Sequence, residues 1–223
     1  MVQQLLSDSS FENGIESPQY PDSDGQPMSD NTKQFRWIVT IKENLERLFA
    51  EDDNVFVAGD LLWYPVEGQP KIRQAPDTLV AFGRPKGDRG SYRQWVEADV
   101  APQVVFEILS PGNRHSEMLR KLGFYQRYGV EEYYIYDPDD NELSGFLRSG
   151  GSLQVIDNIS GWVSPRLGIR FQVSKTTLEI YRPDGEKFVT FLEIGAALNA
   201  QQQRIKSLEN KLRELGVDPA DLE

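Results

Sequence analysis

Two acidic residues stand where a folding chain gains nothing from them. In QVVFEILS (residues 103–110), Val104, Phe106 and Ile108 share one face of a strand, and Val105, Glu107 and Leu109 share the other. Apart from Glu107 both faces are apolar, so the run reads as a central strand covered on both sides. An ionised carboxylate there is costly unless it is paired, hydrogen-bonded or held by a metal. In APDTLVAF (residues 75–82), Asp77 shares a face with Leu79 and Ala81, opposite Thr78, Val80 and Phe82. Alone, Asp77 reads as an exposed turn residue, whereas for Glu107 a strand-end acid paired with Arg or Lys is the weaker alternative. Placed side by side on neighbouring strands, they form a site for a hard divalent cation, with oxygen ligands at about 2.1 Å for magnesium. The carbonyl of Ile108 could add a further ligand.

Lys121 follows on a helix. One reading is a solvated lysine paired with Glu117 at i,i+4. The other brings its amine back over the end of the Glu107 strand, where it complements the carboxylates and stabilises charge on a phosphate.

The rest of the chain must position these groups. Phe35, Ile38, Ile41, Leu45, Leu48 and Phe49 recur at three- and four-residue steps and predict an amphipathic helix, capped by Asp30 or Asn31 and ending near 52–54. Residues 55–66 predict a strand with a bulge or turn at Gly59. Residues 76–83 and 103–110 predict two more. A helix over 113–128 stops at Gly129, and YYIYDP (133–138) predicts a fourth strand. Shorter strand-like pieces follow (ELSGFLR, SLQVI, LGIRFQV, TLEIYRP) and suggest a meander extending the sheet. The order gives a mixed α/β fold. From Thr190 a long helix carries Leu198, Ile205, Leu208, Leu212 and Leu215 in a seven-residue pattern interrupted by Gln201 and closed by Gly216 and Pro219. It could pair with a second copy or pack on its own domain. The expected division is an N-terminal arm (1–31) whose Tyr20 and Pro21 could pack on the body, an α/β domain (32–189) and the C-terminal helix (190–223).

Composition sets limits. The chain has 223 residues and a formal net charge of -11, which disfavours non-specific nucleic-acid binding without forbidding a local basic patch. There is no cysteine, so disulfides, thiolate metal sites and cysteine nucleophiles are excluded. The single histidine, His115, excludes any mechanism needing two. No apolar run reaches the roughly 18–20 residues of a membrane span, and MVQQLLSDSS does not read as a signal peptide; the expectation is a soluble, cytoplasmic protein.

Weaker candidates surround the main three. Asp60 could be a further acid but reads better as a turn residue, and Glu46 reads better as surface. Ser110, Asn113 and Arg114 lie just past the Glu107 strand, where α/β folds place ligands, or they only cap the helix. The segment holding Arg84, Lys86, Arg89 and Arg93 could follow a nucleic-acid backbone or be a solvated loop.

Taken in order, YPDSDGQPM, FVAGDLLWY, APDTLVAF, VVFEILSPG, Lys121 with Tyr125, and YGVEEYYIYDP resemble the PD-(D/E)XK nuclease superfamily. More closely they resemble the Uma-two family of restriction-endonuclease-like proteins, over nearly the whole chain. The resemblance implies a PD-(D/E)XK nuclease-like α/β fold, with a central mixed sheet flanked by helices and a C-terminal extended helix. It implies Asp77 and Glu107 as ligands of Mg2+ or Mn2+, Lys121 as the catalytic lysine and DNA as substrate; a homodimer is expected as well, with the C-terminal helix as a candidate interface. The superfamily places its lysine two residues after the glutamate, where this chain has Leu109, and the family's frequent first-helix histidine is missing. Glu117 is the nearest match to an acid the family carries at the start of the second helix. The competing expectation is a catalytically inactive nuclease-fold scaffold or regulator acting through protein contacts.

Overall fold

The structure, a computed structural model, describes residues 19–23, 25, 29, 31–216 and 218. The rest of the expected arm, Asp30, Pro219 and the chain end lie outside the described residues.

The first helix, α1 (Thr32–Leu48), is capped by Asn31, whose Oδ1 accepts from the N–H groups of Lys33 and Gln34 at 3.0 and 2.9 Å. It ends a turn earlier than the apolar spacing suggests. The first strand, β1 (Val55–Ala58), stops at Gly59 and Asp60. Asp60 takes a left-handed φ of 48°, and the chain re-enters extended structure only at β2 (Trp63–Tyr64). The expected single strand is therefore two, with the break at the anticipated turn.

Next come β3 (Thr78–Phe82), β4 (Tyr92–Arg93) and β5 (Val104–Ile108). The second helix, α2 (His115–Tyr128), leads to β6 (Glu132–Asp137), and Gly129 ends it with a φ of 99°, a conformation glycine adopts without steric cost. Then follow β7 (Glu142–Ser149), β8 (Ser152–Val155), β9 (Arg170–Val173), β10 (Leu178–Tyr181) and α3 (Phe191–Glu214).

Six strands form the main sheet in the order β1-β3-β5-β6-β7-β8. Only β5 and β6 are parallel within it, and α2 supplies the crossover that parallel neighbours need. The sheet separates two apolar layers. On one face Ile38, Ile41 and Leu45 of α1 pack on Val57, Val80, Val104 and Phe106. On the other, Tyr125 of α2 packs with Leu79, Val105 and Tyr133, beside Trp63 and Tyr92. The two strand faces read from alternation are thus the two sides of the sheet.

The meander is only half as expected. β7 and β8 extend the sheet, but β9 and β10 form a separate two-stranded sheet. Their Phe171, Leu178 and Ile180 all join the layer beneath α1. Lying across that layer buries these side chains, which adding edge strands would have left half open.

The connection between β8 and β9 is tied down by Glu132, only 1% exposed. Its carboxylate accepts from the Tyr134 hydroxyl at 2.9 Å, from the Arg166 N–H at 2.6 Å and from the Ser164 hydroxyl. Near the described start of the chain, Tyr20 packs against Tyr64 and Trp95, and the Tyr64 hydroxyl donates to the Pro21 carbonyl at 2.6 Å.

Candidate active site

β3 and β5 run antiparallel with Thr78 opposite Phe106 and Leu79 opposite Val105. Asp77 lies in a bend one residue before β3, and carrying that register one step sets it across from Glu107. Both acids are buried, Asp77 at 8% exposure and Glu107 at 1%. They lie on the α2 side of the sheet, because Leu79 and Val105, which share their faces, belong to that layer.

Each acid is held in place. Asp77 Oδ2 accepts from the backbone N–H of Ile108 at 2.6 Å. Glu107 Oε2 accepts from Lys121 Nζ at 2.8 Å, and Oε1 from the Tyr125 hydroxyl at 2.5 Å. Lys121 and Tyr125 are one helical turn apart, so both project from the same side of α2. Glu117 lies 3.9 Å from Lys121 Nζ, at the margin of an ion pair. Of the two readings of Lys121, the structure gives the one that reaches back over the sheet.

The electrostatics follow from burial. Desolvation, reinforced by the charge of Glu107, pushes the Asp77 carboxyl well above the usual carboxylate range; the Ile108 N–H and Lys121 only partly oppose it. For Lys121, burial pulls the ammonium pKa down, but Glu107, Asp77 and Glu117 together more than offset this and leave it raised. Lys121 is therefore a fixed positive charge at neutral pH and not a base. Tyr125 is held neutral by burial and by Glu107. The Tyr133 hydroxyl is buried near the same acids, which with desolvation raise its pKa, and it has no hydrogen-bond partner among the described residues.

The donor set suits a small hard cation. With both carboxylates ionised they face a single ammonium, so the desolvated cluster then carries more negative than positive charge, and Tyr133 leaves a buried hydroxyl unspent. Among the described residues no group of three His, Cys, Asp or Glu side chains is placed to hold a metal. Two protein carboxylates fit Mg2+, which keeps several waters and uses few protein ligands. The Ile108 carbonyl already accepts from Gln34 Nε2 at 2.8 Å, leaving one lone pair.

The weaker candidates separate. Asp60 does lie beside the site: its N–H reaches the Asp77 carbonyl at 3.4 Å, and its charge acts on Asp77. Glu46 is on the α1 surface and pairs with Lys42 at 2.7 Å. Asn113 Oδ1 accepts from the Ser110 N–H at 2.7 Å, closing a turn rather than capping α2. Arg114 is the cap residue without a side-chain cap bond, and exposed His115 begins the helix. Ser110, Asn113, Arg114 and His115 line a cavity of about 460 Å³ at the ends of β5 and β6, together with Asp137, Asp140 and Glu142.

The basic segment 84–93 is neither a solvated loop nor an open binding strip. Arg84 and Arg89 both pair with buried Glu97, at 3.0 and 2.7 Å, and Arg89 lies over the Phe56 ring at 3.9 Å. Lys86 Nζ donates to the Phe49 carbonyl at 2.7 Å. Three of its four basic side chains are thus occupied within the chain.

A family profile described as "Uma2: Putative restriction endonuclease" matches residues 17–170. The chain belongs to the Uma2 family. That span contains Asp77, Glu107, Lys121, Tyr125 and the whole six-stranded sheet, and stops before α3. Uma2 membership supports a nuclease-like role. Among solved structures, the chain is similar to one titled a "putative nuclease belonging to DUF820" from Anabaena variabilis, at 15% identity and a TM-score of 0.46, covering 63% of this chain and 74% of that one. No curated protein matches it. Among the described residues no helix is long and apolar enough to cross a membrane.

Gln34 and Tyr133 went unnoticed in the sequence. Tyr125 carried a signal, being on the inner face of α2 one turn beyond Lys121. Gln34 carried none, since it meets Ile108 across 74 residues of chain.

Proposed function

We propose that this Uma2 protein is a metal-dependent endonuclease that hydrolyses phosphodiester bonds in DNA, acting in the cytoplasm. The observation that supports this most is the buried pair Asp77, just before β3, and Glu107 on β5, with the ammonium of Lys121 bound to Glu107. Folding alone does not account for two desolvated carboxylates with one balancing cation.

In this reading Asp77 and Glu107 hold Mg2+ or Mn2+, which supplies a Lewis acid and a more acidic water. The remaining work falls to the chain. The Ile108 N–H fixes the Asp77 carboxylate, and the Tyr125 hydroxyl fixes that of Glu107. Lys121, kept protonated by its neighbours, offsets the negative charge that builds on the phosphate. Water adds at phosphorus and one ester P–O bond breaks, leaving a phosphate end and a hydroxyl end. The test is conversion of supercoiled plasmid to nicked or linear DNA with Mn2+ and its loss with chelator; no cleavage under any divalent metal rejects the proposal.

A second reading, a nuclease-fold scaffold that does not cut, draws on the arginines Arg84 and Arg89 being consumed by Glu97 and on the acidic balance of the chain. Titration calorimetry with Mn2+ separates the two, because a scaffold has no need to bind the ion through Asp77 and Glu107.

A further inference from the structure

No residue of α3 is buried, although the helix has 24 residues and a complete N-terminal capping box between Thr190 and Glu193. Phe191, Leu198, Ile205, Leu208 and Leu215 each expose more than half their surface. Setting Phe191 as the first position of a heptad gives Phe191, Leu198, Ile205 and Leu212 at a, and Ile194, Gln201, Leu208 and Leu215 at d. Gln201 is the single polar member of a seam more than three heptads long. The seam begins at a groove of about 1070 Å³ between α1 and α3, lined by Phe35, Val39, Phe191, Leu192 and Ile194. Apolar surface therefore runs from the domain along the helix, interrupted in the seam at Gln201.

We propose that this face is covered by α3 of a second copy of the chain, in a parallel, in-register two-stranded coiled coil. The flanking charges choose the partner and its direction. The g positions are Ala197, Arg204 and Lys211, and the e positions are Gly195, Gln202 and Glu209. In a parallel pair each g residue faces the e residue five further along the other helix, so Arg204 meets the partner's Glu209 twice by symmetry. An antiparallel pair sets g against g and e against e, placing Arg204 and Lys211 only against basic or neutral residues. Glu209 is free to take this role, since its intrahelical contact with Arg213 is 3.9 Å long. Gln201 fixes the register: in step, the two amides hydrogen-bond to each other, whereas a shifted pairing buries each against leucine. The result is two copies joined at one stalk, whether or not the site hydrolyses DNA.

Sedimentation velocity on the full chain is expected to give a dimer, and Leu208→Glu a monomer whose domain stays folded, because Leu208 is 53% exposed and belongs to neither core layer of the described residues. Arg204→Glu should weaken the dimer roughly tenfold, and adding Glu209→Lys should restore it. The chain has no cysteine, so Leu215→Cys reports direction. Parallel helices bring the two thiols together and form a disulfide on mild oxidation. In an antiparallel pair each thiol lies near the far end of a helix about 36 Å long. A monomeric wild-type chain, a Leu208→Glu protein that stays dimeric, tighter association on Arg204→Glu, or no cross-link through Leu215→Cys would each overturn the proposal.

Discussion

Lys121 stands 14 residues beyond Glu107 in the chain, yet its ammonium nitrogen lies 2.8 Å from the glutamate Oε2. The pair is nearly sealed from water, with side-chain exposures of 12% and 2%. Removing one partner leaves the other charged and buried. Lys121→Met is expected to cost about 3 kcal/mol in chemical denaturation. Glu107→Gln combined with it should cost clearly less than the sum of the two single changes. Strictly additive losses would show that the contact carries no energy.

Activity should depend on both acids. Asp77→Ala and Glu107→Ala are each expected to lower plasmid cleavage on the order of 100-fold or more, with near-ultraviolet circular dichroism unchanged. Undiminished cleavage by either folded variant rejects its assignment.

Asp77 makes stability depend on pH in an unusual direction. Its folded pKa is raised, so the folded state holds its proton more tightly than the unfolded chain does. The cost of ionising it is absent below the unfolded value, about 4, and grows as pH rises through the folded one. Asp77→Asn should therefore raise the melting temperature at neutral pH, and the gap should close in acid. Mn2+ should stabilise the wild type more as pH rises and should do little for the variant. A gap that widens in acid would contradict this account.

Glu132 is as buried as Glu107, but its acceptors are filled by Tyr134, Ser164 and the Arg166 N–H, which anchor the connection to β9. Glu132→Ala should destabilise by about 3 kcal/mol, because several buried donors lose their acceptor. Cleavage per folded molecule should not change. A selective loss of cleavage would place Glu132 in the chemistry.

The two arginines on Glu97 serve the fold. Burial raises the Glu97 pKa, but Arg89 and Arg84 more than offset this and leave it lowered. The stability they contribute is present above the unfolded carboxylate value and is lost as pH falls through the folded one. Arg89→Ala should lower the melting temperature at neutral pH, with the difference fading in acid, and should leave DNA affinity unchanged. Weaker DNA binding at unchanged stability would reverse the assignment.

Much of this was legible in residue order. Strand alternation put Asp77 and Glu107 on defined faces, and helix spacing marked Tyr125 as inward. Asn31, Gly129 and Thr190 marked helix ends through chemistry that is local to each. The basic run at 84–93 misled because the sequence shows charges but not their partners, and Glu97 lies several residues on. The last strand pieces misled because an alternating pattern says that one face is buried and not against which layer.

The amino-acid order by itself determined that costly acids sit within apolar strands, that a helix follows Glu107, and that α3 carries an apolar seam, because these are periodic or short-range properties of a chain. Tertiary structure alone decided which groups met. The register of β3 against β5 set Asp77 opposite Glu107, the crossover through α2 brought Lys121 and Tyr125 over the two glutamate oxygens, and α1 brought Gln34 to Ile108. Pair interactions depend on distance in space, and only the packed sheet brings together residues that lie 14 to 74 positions apart along the chain.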